Sequence, residues 1–310
     1  MNDALAERAA PPRSALRLSV AIGSIQPWPA TKPVLDSVYQ QALEATAEVV
    51  LAVRGPAGRP PVNEYPRVRV VEVTGASVFE LRERAIAAAS GEVVAITEDH
   101  CMVADDWCQR VIEAHAERPE ADIIGGAVHN GSPEPLAWAA FLISNGAALH
   151  PLTSGERPIV TGHANVSFKR RALWGWGAGG LEDGRYRVAL RERGGRLFVD
   201  GRIQVRHVQY FPLLDMMVYL FHGGRALAGT QRRHLSRSQW VRRLAKVVLL
   251  PLRVLVNAVR IPYRAAMHRV DYRGAAVRCA PWLLVILPSY YAGELIGHVA
   301  GPARSPWQLR

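Results

Sequence analysis

The chain has 310 residues, of which 49% are hydrophobic, and this is enough for one large α/β core with an extension. Its formal net charge is +11, but residues 225–310 alone carry +13, with 15 Lys and Arg against 2 Asp and Glu. Because no recognised DNA- or RNA-binding motif accompanies this charge, we expect no nucleic-acid partner.

The first residues carry no secretion signal. Met1 to Arg13 contain acids, alanines and two prolines but not the apolar run of a signal peptide, and we expect a flexible tail over residues 1–15. The cysteines, Cys101, Cys108 and Cys279, form no Cys-x-x-Cys pair. The sequence therefore predicts neither a disulfide framework nor a zinc site, which fits a reducing compartment.

Two apolar segments open the predicted sheet. Leu18 to Ile22 reads as the first strand, and residues 47–55 contain the second. Open α/β sheets gather their ligands at the carboxyl ends of their strands. The second strand ends in Arg54 without any acid.

A capping signature predicts a helix that begins after Ser77. Glu80 follows this serine by three residues, which is the spacing of a capping box, and Gly91 lies just past the last helical position. The helix runs through Ala89 and carries Arg82. A solvated helix face is the alternative position for Arg82.

The segment at residues 93–101 is the most informative part of the chain. A short β-branched run, typical of a buried strand, ends in Glu98, Asp99 and His100. Unpaired charge is costly at such a position, and a bound cation offsets the cost. Oxygen ligands with one imidazole suit Mg²⁺ or Mn²⁺, which would hold a phosphorylated ligand. The pattern alone fits an acidic turn that caps the next helix equally well.

Further along the chain, two acids open a predicted helix. Residues 130–157 are punctuated by Gly, Pro and Ser and predict a loop between the two acidic segments. Glu182 and Asp183 then begin a helix that ends at Gly194, and a helix dipole favours acids at its start. His207 lies in a strand-like segment at residues 202–208, where a lone histidine is commonly structural.

Three of these segments resemble the family 2 glycosyltransferases. Residues 98–107, Glu-Asp-His-Cys-Met-Val-Ala-Asp-Asp-Trp, resemble the family's metal-site segment, in which an acid-x-acid triplet precedes a short loop and a Trp that opens a helix. Residues 81–92 resemble the helix before that strand. Glu182-Asp183 resembles the family's Glu-Asp motif.

The resemblance implies a GT-A-like domain that transfers a sugar from a nucleotide-sugar donor to a hydroxyl acceptor with inversion. It implies a divalent cation, Mg²⁺ or Mn²⁺, held by Glu98, by Asp99 or His100, and by His207. It implies that Arg82 contacts the nucleotide diphosphate of the donor. Asp99 is a second candidate for binding the donor.

The same resemblance implies the catalytic base. Asp183 would take the proton of the acceptor hydroxyl, and Glu182 would orient it or substitute for it. An alcohol is a poor nucleophile until a carboxylate takes its proton in the transition state, which is why the chemistry needs an acid here.

Two departures from the family pattern support a second hypothesis. The triplet is Glu-x-His rather than Asp-x-Asp, and the acidic turn that holds the base and ribose is absent after the second strand. A catalytically inactive GT-A-like protein, acting as a membrane scaffold in a polysaccharide-synthesis complex, would account for both.

The basic C-terminal quarter alternates charged residues with apolar runs. Residues 240–261 are mostly apolar, and Lys246, Arg253 and Arg260 recur every seven residues on one helical face, with Pro251 expected to bend the helix. We interpret this as a basic amphipathic helix in an anionic membrane surface; a core helix with snorkelling arginines is the alternative. Residues 281–301 form a second apolar stretch, which is too interrupted for a clean span.

The sequence as a whole predicts an α/β fold: a GT-A-like, Rossmann-like, mostly parallel sheet flanked by helices and followed by a helical extension. The expected boundaries are residues 16–210 for the glycosyltransferase domain and 211–310 for a membrane-associated extension. The enzyme would work at the cytoplasmic face of the cell membrane, peripheral or re-entrant, on a glycan or lipid-linked acceptor. A chain ending near Phe211 is expected to be more soluble than the full chain.

Overall fold

A computed structural model describes residues 17–158, 163–173, 190–232 and 235–309. The predicted tail at residues 1–15 and the acids Glu182 and Asp183 lie outside these ranges.

One mixed sheet forms the centre of the described structure. Its strand order is β3-β2-β1-β4-β8-β6-β9-β5, and β7 pairs with β9. The strands are β1 (Leu18–Ser24), β2 (Glu48–Val53), β3 (Val68–Glu72), β4 (Val93–Glu98), β5 (Cys101–Val103), β6 (Ala121–Asn130), β7 (Gly155–Glu156), β8 (Asn165–Lys169) and β9 (Arg196–His207).

The first half of the sheet is parallel, as the sequence predicts. Strands β3, β2, β1 and β4 run in the same direction, and β8 then pairs antiparallel with both β4 and β6. β6 and β9 are parallel, while β5 and β7 lie antiparallel to β9. The predicted α/β fold class is confirmed, with antiparallel strands completing the sheet.

Helices cover both faces of the sheet. Successive strand residues point to opposite faces, and both sets are apolar, so each face is buried under helices. They are α1 (Lys32–Glu44), α2 (Val78–Ala88), α3 (Trp107–Glu117) and α4 (Pro135–Asn145). Val20 and Ile22 belong to the same core as α1, α3 and α4, while Ala21 packs with α2 on the opposite face.

Helix α4 corrects the prediction of a loop at residues 130–157. Pro135 occupies its first turn, where a missing N–H costs nothing. The apolar run after this proline, which includes Leu136, Phe141 and Leu142, is buried in the main core. The turn residues that suggested a loop therefore mark the beginning of a helix.

The chain after β9 is helical. Its helices are α5 (Leu213–Arg232), α6 (Arg237–Val248), α7 (Leu250–His268) and α8 (Arg273–Ala300), and a 3-10 turn follows at Ser305–Gln308. Pro251 lies in the first turn of α7, so the predicted bend is a break between two helices. Helices α7 and α8 form an antiparallel hairpin, in which Asn257 donates to the Tyr291 hydroxyl at 2.6 Å.

The helical region shares its core with the α/β region. Leu283, Ile286 and Leu287 of α8 belong to the same buried cluster as α4 and the strands. Among the described residues, one stretch, Val270–Ala300, is long and apolar enough to cross a membrane by length and composition, and 39% of its apolar window is buried within the protein. A core helix passes the same test.

Candidate functional site

The candidate site lies at the carboxyl edge of the parallel strands. Ser24 ends β1, Arg54 follows β2 and Glu98 ends β4, so the three residues lie on adjacent strands. The carboxyl edge is where open α/β sheets bind their ligands. The position of these residues is therefore set by the parallel topology.

The first turn of α2 closes one side of this edge. The predicted capping box is present: the Ser77 hydroxyl accepts from the Glu80 N–H at 3.3 Å, and the Glu80 carboxylate accepts from the Ser77 N–H at 2.7 Å. The helix passes close to β1 because Gly23 has no side chain; a Cβ there would lie 2.8 Å from the backbone nitrogen of Arg82.

Arg82 is buried at this edge, not solvated. Its side chain is 5% exposed, and Nη2 donates to Glu98 Oε1 at 2.7 Å. Its Nε has no hydrogen-bond partner among the described residues. A buried guanidinium N–H without a partner is costly, and an anionic ligand would satisfy it.

Four side chains converge beside Arg82: Glu98, His100, Cys101 and His207. Their potential ligand atoms lie within 4.8 Å of one another. The Nε2 atoms of the two histidines are 3.1 Å apart, and Glu98 Oε2 lies 3.6 Å from His100 Nε2 and 3.8 Å from His207 Nε2. β5 and β9 bring the last two residues together, because Cys101 pairs directly with His207.

Asp99 holds His100 in place from the opposite side. One oxygen of this buried carboxylate lies 2.8 Å from His100 Nδ1, and the other accepts from the Ser24 hydroxyl at 2.7 Å. Both oxygens are thus occupied, and Asp99 lies outside the four-residue cluster. A carboxylate bound to the far nitrogen of a histidine is the usual way to orient a metal ligand.

The carboxylate of Glu98 is strongly acidic. Burial alone would raise the pKa of Glu98, but the charges of Arg82, His100 and His207 lower it to about 2. The pKa of Asp99 is lowered for similar reasons: burial opposes the shift, and the His100 and Ser24 hydrogen bonds outweigh it. Both carboxylates are therefore charged near neutral pH.

The pKa values of the two histidines are shifted in opposite directions. Burial lowers the pKa of His100, but the Asp99 hydrogen bond and the Glu98 charge outweigh it and raise the pKa. Burial and the charge of His100 lower the pKa of His207 to about 4. The two Nε2 atoms lie 3.1 Å apart, within reach of one shared ligand.

The donor set fits a divalent cation. One carboxylate oxygen and two imidazole nitrogens lie within 4.8 Å of one another, and these are common ligands of divalent first-row metals. The fourth group, Cys101, is fully buried, and burial raises the pKa of its thiol further above its usual range. Since the thiolate is the form that ligates metal, Glu98, His100 and His207 are the better ligands.

Some members of the site carried no clear sequence signal. Ser24 was not predicted, although its place at the end of β1 puts it at the ligand-binding edge. Cys101 is also not among the predicted metal ligands. His163 contributes to the low pKa of Glu98, and its ring packs edge-on to Phe79 at 6.1 Å. Nothing in the pattern around His163 indicates this position.

Arg54 occupies the place where an acidic turn was expected. Its Nε donates to the Ala76 carbonyl at 2.7 Å, just before α2, and its buried Nη2 has no partner among the described residues. The absent acid is thus replaced by a cation with an unused donor. Glu182 and Asp183 lie outside the described ranges, so their roles remain predictions.

A comparison with protein families decides the assignment. The family model for "Glycosyl transferase family 2" matches residues 19–174, which is half of the chain. The chain belongs to glycosyl transferase family 2. This match confirms the family and the enzyme class, glycosyltransferase, that the motifs predicted.

Two solved structures are similar to this glycosyltransferase. The first, "Crystal structure of GalNAc-T7 with UDP, GalNAc and Mn2+", is 16% identical with a TM-score of 0.45 over 63% of this chain. The chain spans only 44% of that structure's length. The second, "Crystal structure of S. aureus TarS 1-349", is 14% identical with a TM-score of 0.47, covering 90% of this chain and 92% of the other. No curated protein matches the sequence significantly.

Proposed function

We propose that this glycosyltransferase transfers a sugar from a nucleotide-sugar donor to a hydroxyl acceptor, with inversion at the anomeric carbon. The observation that carries the proposal is the convergence of Glu98, His100 and His207 beside a buried arginine at the carboxyl edge of the sheet. Family membership supports the reaction class.

The site is arranged to receive a diphosphate. Glu98, His100 and His207 would hold a divalent cation, Mg²⁺ or Mn²⁺, which supplies charge neutralisation for the leaving diphosphate. Asp99 orients His100 through the 2.8 Å hydrogen bond. Arg82 contacts the diphosphate through the Nε that has no protein partner among the described residues. Its bond to Glu98 keeps the guanidinium fixed, so little reorganisation is needed in the transition state.

Asp183 is the proposed general base, on the strength of the Glu-Asp motif alone. Its carboxylate takes the proton of the acceptor hydroxyl as the oxygen attacks the anomeric carbon, and the bond to the diphosphate breaks. Glu182 orients the acceptor or substitutes for the base. One displacement of this kind inverts the anomeric centre.

The acceptor is proposed to be a glycan or a lipid-linked sugar at the cytoplasmic face of the cell membrane, in polysaccharide synthesis. The support is the C-terminal quarter, which carries a charge of +13 and contains long apolar runs. Such a region favours an anionic membrane surface.

An inactive scaffold is the competing proposal, and Arg54 is the observation that favours it. A cation replaces the acidic turn that the family uses for the base and ribose, so the nucleotide pocket has changed. An active enzyme and a scaffold differ in whether they bind a nucleotide at all.

A thermal-shift screen of nucleoside diphosphates, with and without Mn²⁺, tests the proposal. A ligand that binds only the folded state raises Tm, so an active site gives a metal-dependent shift with at least one nucleotide. The Glu98→Gln/His100→Ala variant should lose this shift, while Lys32→Ala, at an exposed ion pair on α1, should retain it. No shift with any nucleotide, or equal shifts in both variants, would refute the proposed site.

A further inference from the structure

Helix α7 exposes an apolar stripe to solvent. Leu252, Leu255, Val259, Tyr263 and Met267 follow one another at three- and four-residue steps, with Val256 beside Leu255, so they share one face of the helix. Leu255 is 58% exposed, Val259 70% and Met267 63%. The opposite face, with Val254, Ala258 and Ala265, is buried in the main core. The side chains of the exposed stripe therefore take no part in the packing of the described structure.

Helix α8 continues the pattern on the second arm of the hairpin. Its exposed apolar residues are Val277, Leu284, Val285, Ile296 and Val299. Its other face, with Leu283 and Ile286, is buried. Both arms of the hairpin thus present apolar side chains to solvent, and large exposed apolar surfaces mark interaction sites.

Basic residues accompany these stripes. Arg260 and Arg264 are exposed next to the apolar face of α7, and Arg273 and Arg278 are exposed in the first turns of α8. None of the four forms an ion pair among the described residues. The two acids of the region are already occupied, since Asp271 pairs with Arg269 and Glu294 with Arg253, each at 2.8 Å.

We propose that the α7–α8 hairpin is the membrane-docking surface of this protein and lies in the plane of an anionic lipid surface. Acyl chains receive the apolar stripes, and anionic headgroups neutralise the four arginines. This inference deepens the proposed membrane location by naming the surface and its orientation.

Charge complementarity selects lipid over a second copy of the chain. A symmetric partner would bring the same arginines into one interface, where like charges are costly. An anionic lipid surface satisfies both the charge and the apolar stripe.

The packing of the hairpin favours an in-plane orientation over a span. One side of α8 is buried against the protein along its length, and Glu294 and His298 lie on that helix. Arg253, which the sequence placed with Lys246 and Arg260 on the basic face of an interfacial helix, instead pairs with Glu294 and lies over the Tyr291 ring at 4.2 Å. Only the outward face of the hairpin remains for lipid.

The experiment is co-sedimentation of the full chain with phosphatidylcholine vesicles that contain phosphatidylglycerol. Leu255→Glu/Val259→Glu should reduce the partition coefficient about tenfold or more, because it places two charges in the apolar stripe. Val62→Glu is the matched control: Val62 is 69% exposed but lies outside the hairpin, between β2 and β3. Its partition should equal that of the wild type.

A second pair of measurements separates the apolar contribution from the charge. Arg260→Gln/Arg264→Gln should reduce binding to anionic vesicles about tenfold and lessen the preference over neutral ones, because two of the four arginines remain. High salt should weaken wild-type binding only partly, since screening leaves the apolar contribution intact. Complete release at high salt would overturn the proposal.

Equal vesicle binding by the wild type and Leu255→Glu/Val259→Glu would also overturn it. So would a wild-type dimer that ignores vesicles and becomes monomeric in that variant, because a second copy would then cover the stripe. Vesicle binding needs no donor or acceptor, so its failure is distinct from a failure of the proposed transfer reaction.

Discussion

At the scale of single residues, the geometry separates the proposed metal ligands from the groups that support them. His100 and His207 point their Nε2 atoms at each other across 3.1 Å, while Asp99 binds the far side of His100. The sequence left open which of Asp99 and His100 would bind metal. The hydrogen bonds favour His100, because both Asp99 oxygens already have partners.

We therefore predict graded losses of Mn²⁺ affinity. His207→Ala should abolish binding measured by calorimetry, since it removes one of three ligands. Asp99→Asn should weaken it about 10- to 100-fold, the usual cost of losing a carboxylate that orients a ligand. Cys101→Ser should retain it, because the buried thiol stays protonated. A larger loss in Cys101→Ser than in Asp99→Asn would reverse this assignment.

The general base gives a second prediction at this scale. Asp183→Asn should reduce turnover about 10²-fold or more while donor binding survives, because the base acts in the chemical step. Glu182→Gln is the comparison: near-full activity in Asp183→Asn with a loss in Glu182→Gln would exchange the two roles. Full activity in both variants would place the base elsewhere.

At the scale of elements, helix pairs and strand edges bring distant residues together. Helices α5 and α8 approach closely because glycines line their contact. A Cβ added at Gly293 would overlap the carbonyl oxygen of Phe221, and one at Gly224 would overlap that of Tyr290. The contact thus requires glycine on both helices.

This contact predicts a large effect of one methyl group. Gly293→Ala should destabilise the protein by about 3 kcal/mol in urea unfolding, since the helices must separate to admit it. Gly274→Ala is the control on the same helix, where the nearest atom to an added Cβ is a flexible arginine nitrogen at 3.4 Å. That variant should be neutral or slightly more stable. Equal effects would show that the helices are not in close contact.

Helix α3 gives a pH-dependent prediction. Its buried His115 lies 2.9 Å from the Ser167 hydroxyl of β8, and burial, with the charges of Lys169 and Arg171, lowers the pKa of His115 to about 3. The unfolded chain takes up this proton near the ordinary pKa of 6.5, so acid favours unfolding. This contribution is intact above pH 6.5 and falls progressively as the pH drops toward 3.

Urea unfolding at pH 7 and pH 5 measures the effect. The wild type should lose about 2 kcal/mol more than His115→Gln over this interval, because the glutamine cannot titrate. The same pH dependence in both proteins would mean that His115 is solvated or protonated in the folded state.

At the scale of the whole molecule, the helical region is part of one fold. The buried cluster that contains β1 and α4 also contains α7 and α8. A second contact joins the chain's end to the site: Leu309 packs with Val78 of α2 and Ala226 of α5. The C-terminal helices therefore support the same helix that carries Arg82.

This shared core changes the expected behaviour of a shortened chain. A chain ending at Phe211 would expose the apolar face of α4, so we expect it to aggregate or unfold, contrary to the interpretation of the helices as a separable tail. Thermal unfolding and light scattering of the two lengths check this. A soluble, cooperatively folding short chain would contradict it and restore the separate-domain prediction.

Local sequence determined much of this protein. Short-range patterns predict strand β4, the capping box of α2, the helix that begins at Trp107 and the family itself. They do so because apolar periodicity and capping depend on neighbouring residues. The edge that holds the acids follows from the parallel βα pattern. The proline at position 251 also indicated an interruption of the helix, although as a bend and not as the start of a second helix.

Tertiary structure decided which of these residues meet. His207 lies 107 positions from His100, and only the pairing of β5 with β9 brings their nitrogens together. Arg82 is buried because Gly23 allows close packing, and Arg253 faces Glu294 because α7 folds back on α8. Such contacts depend on strand order and helix packing across the whole chain, which no local pattern specifies.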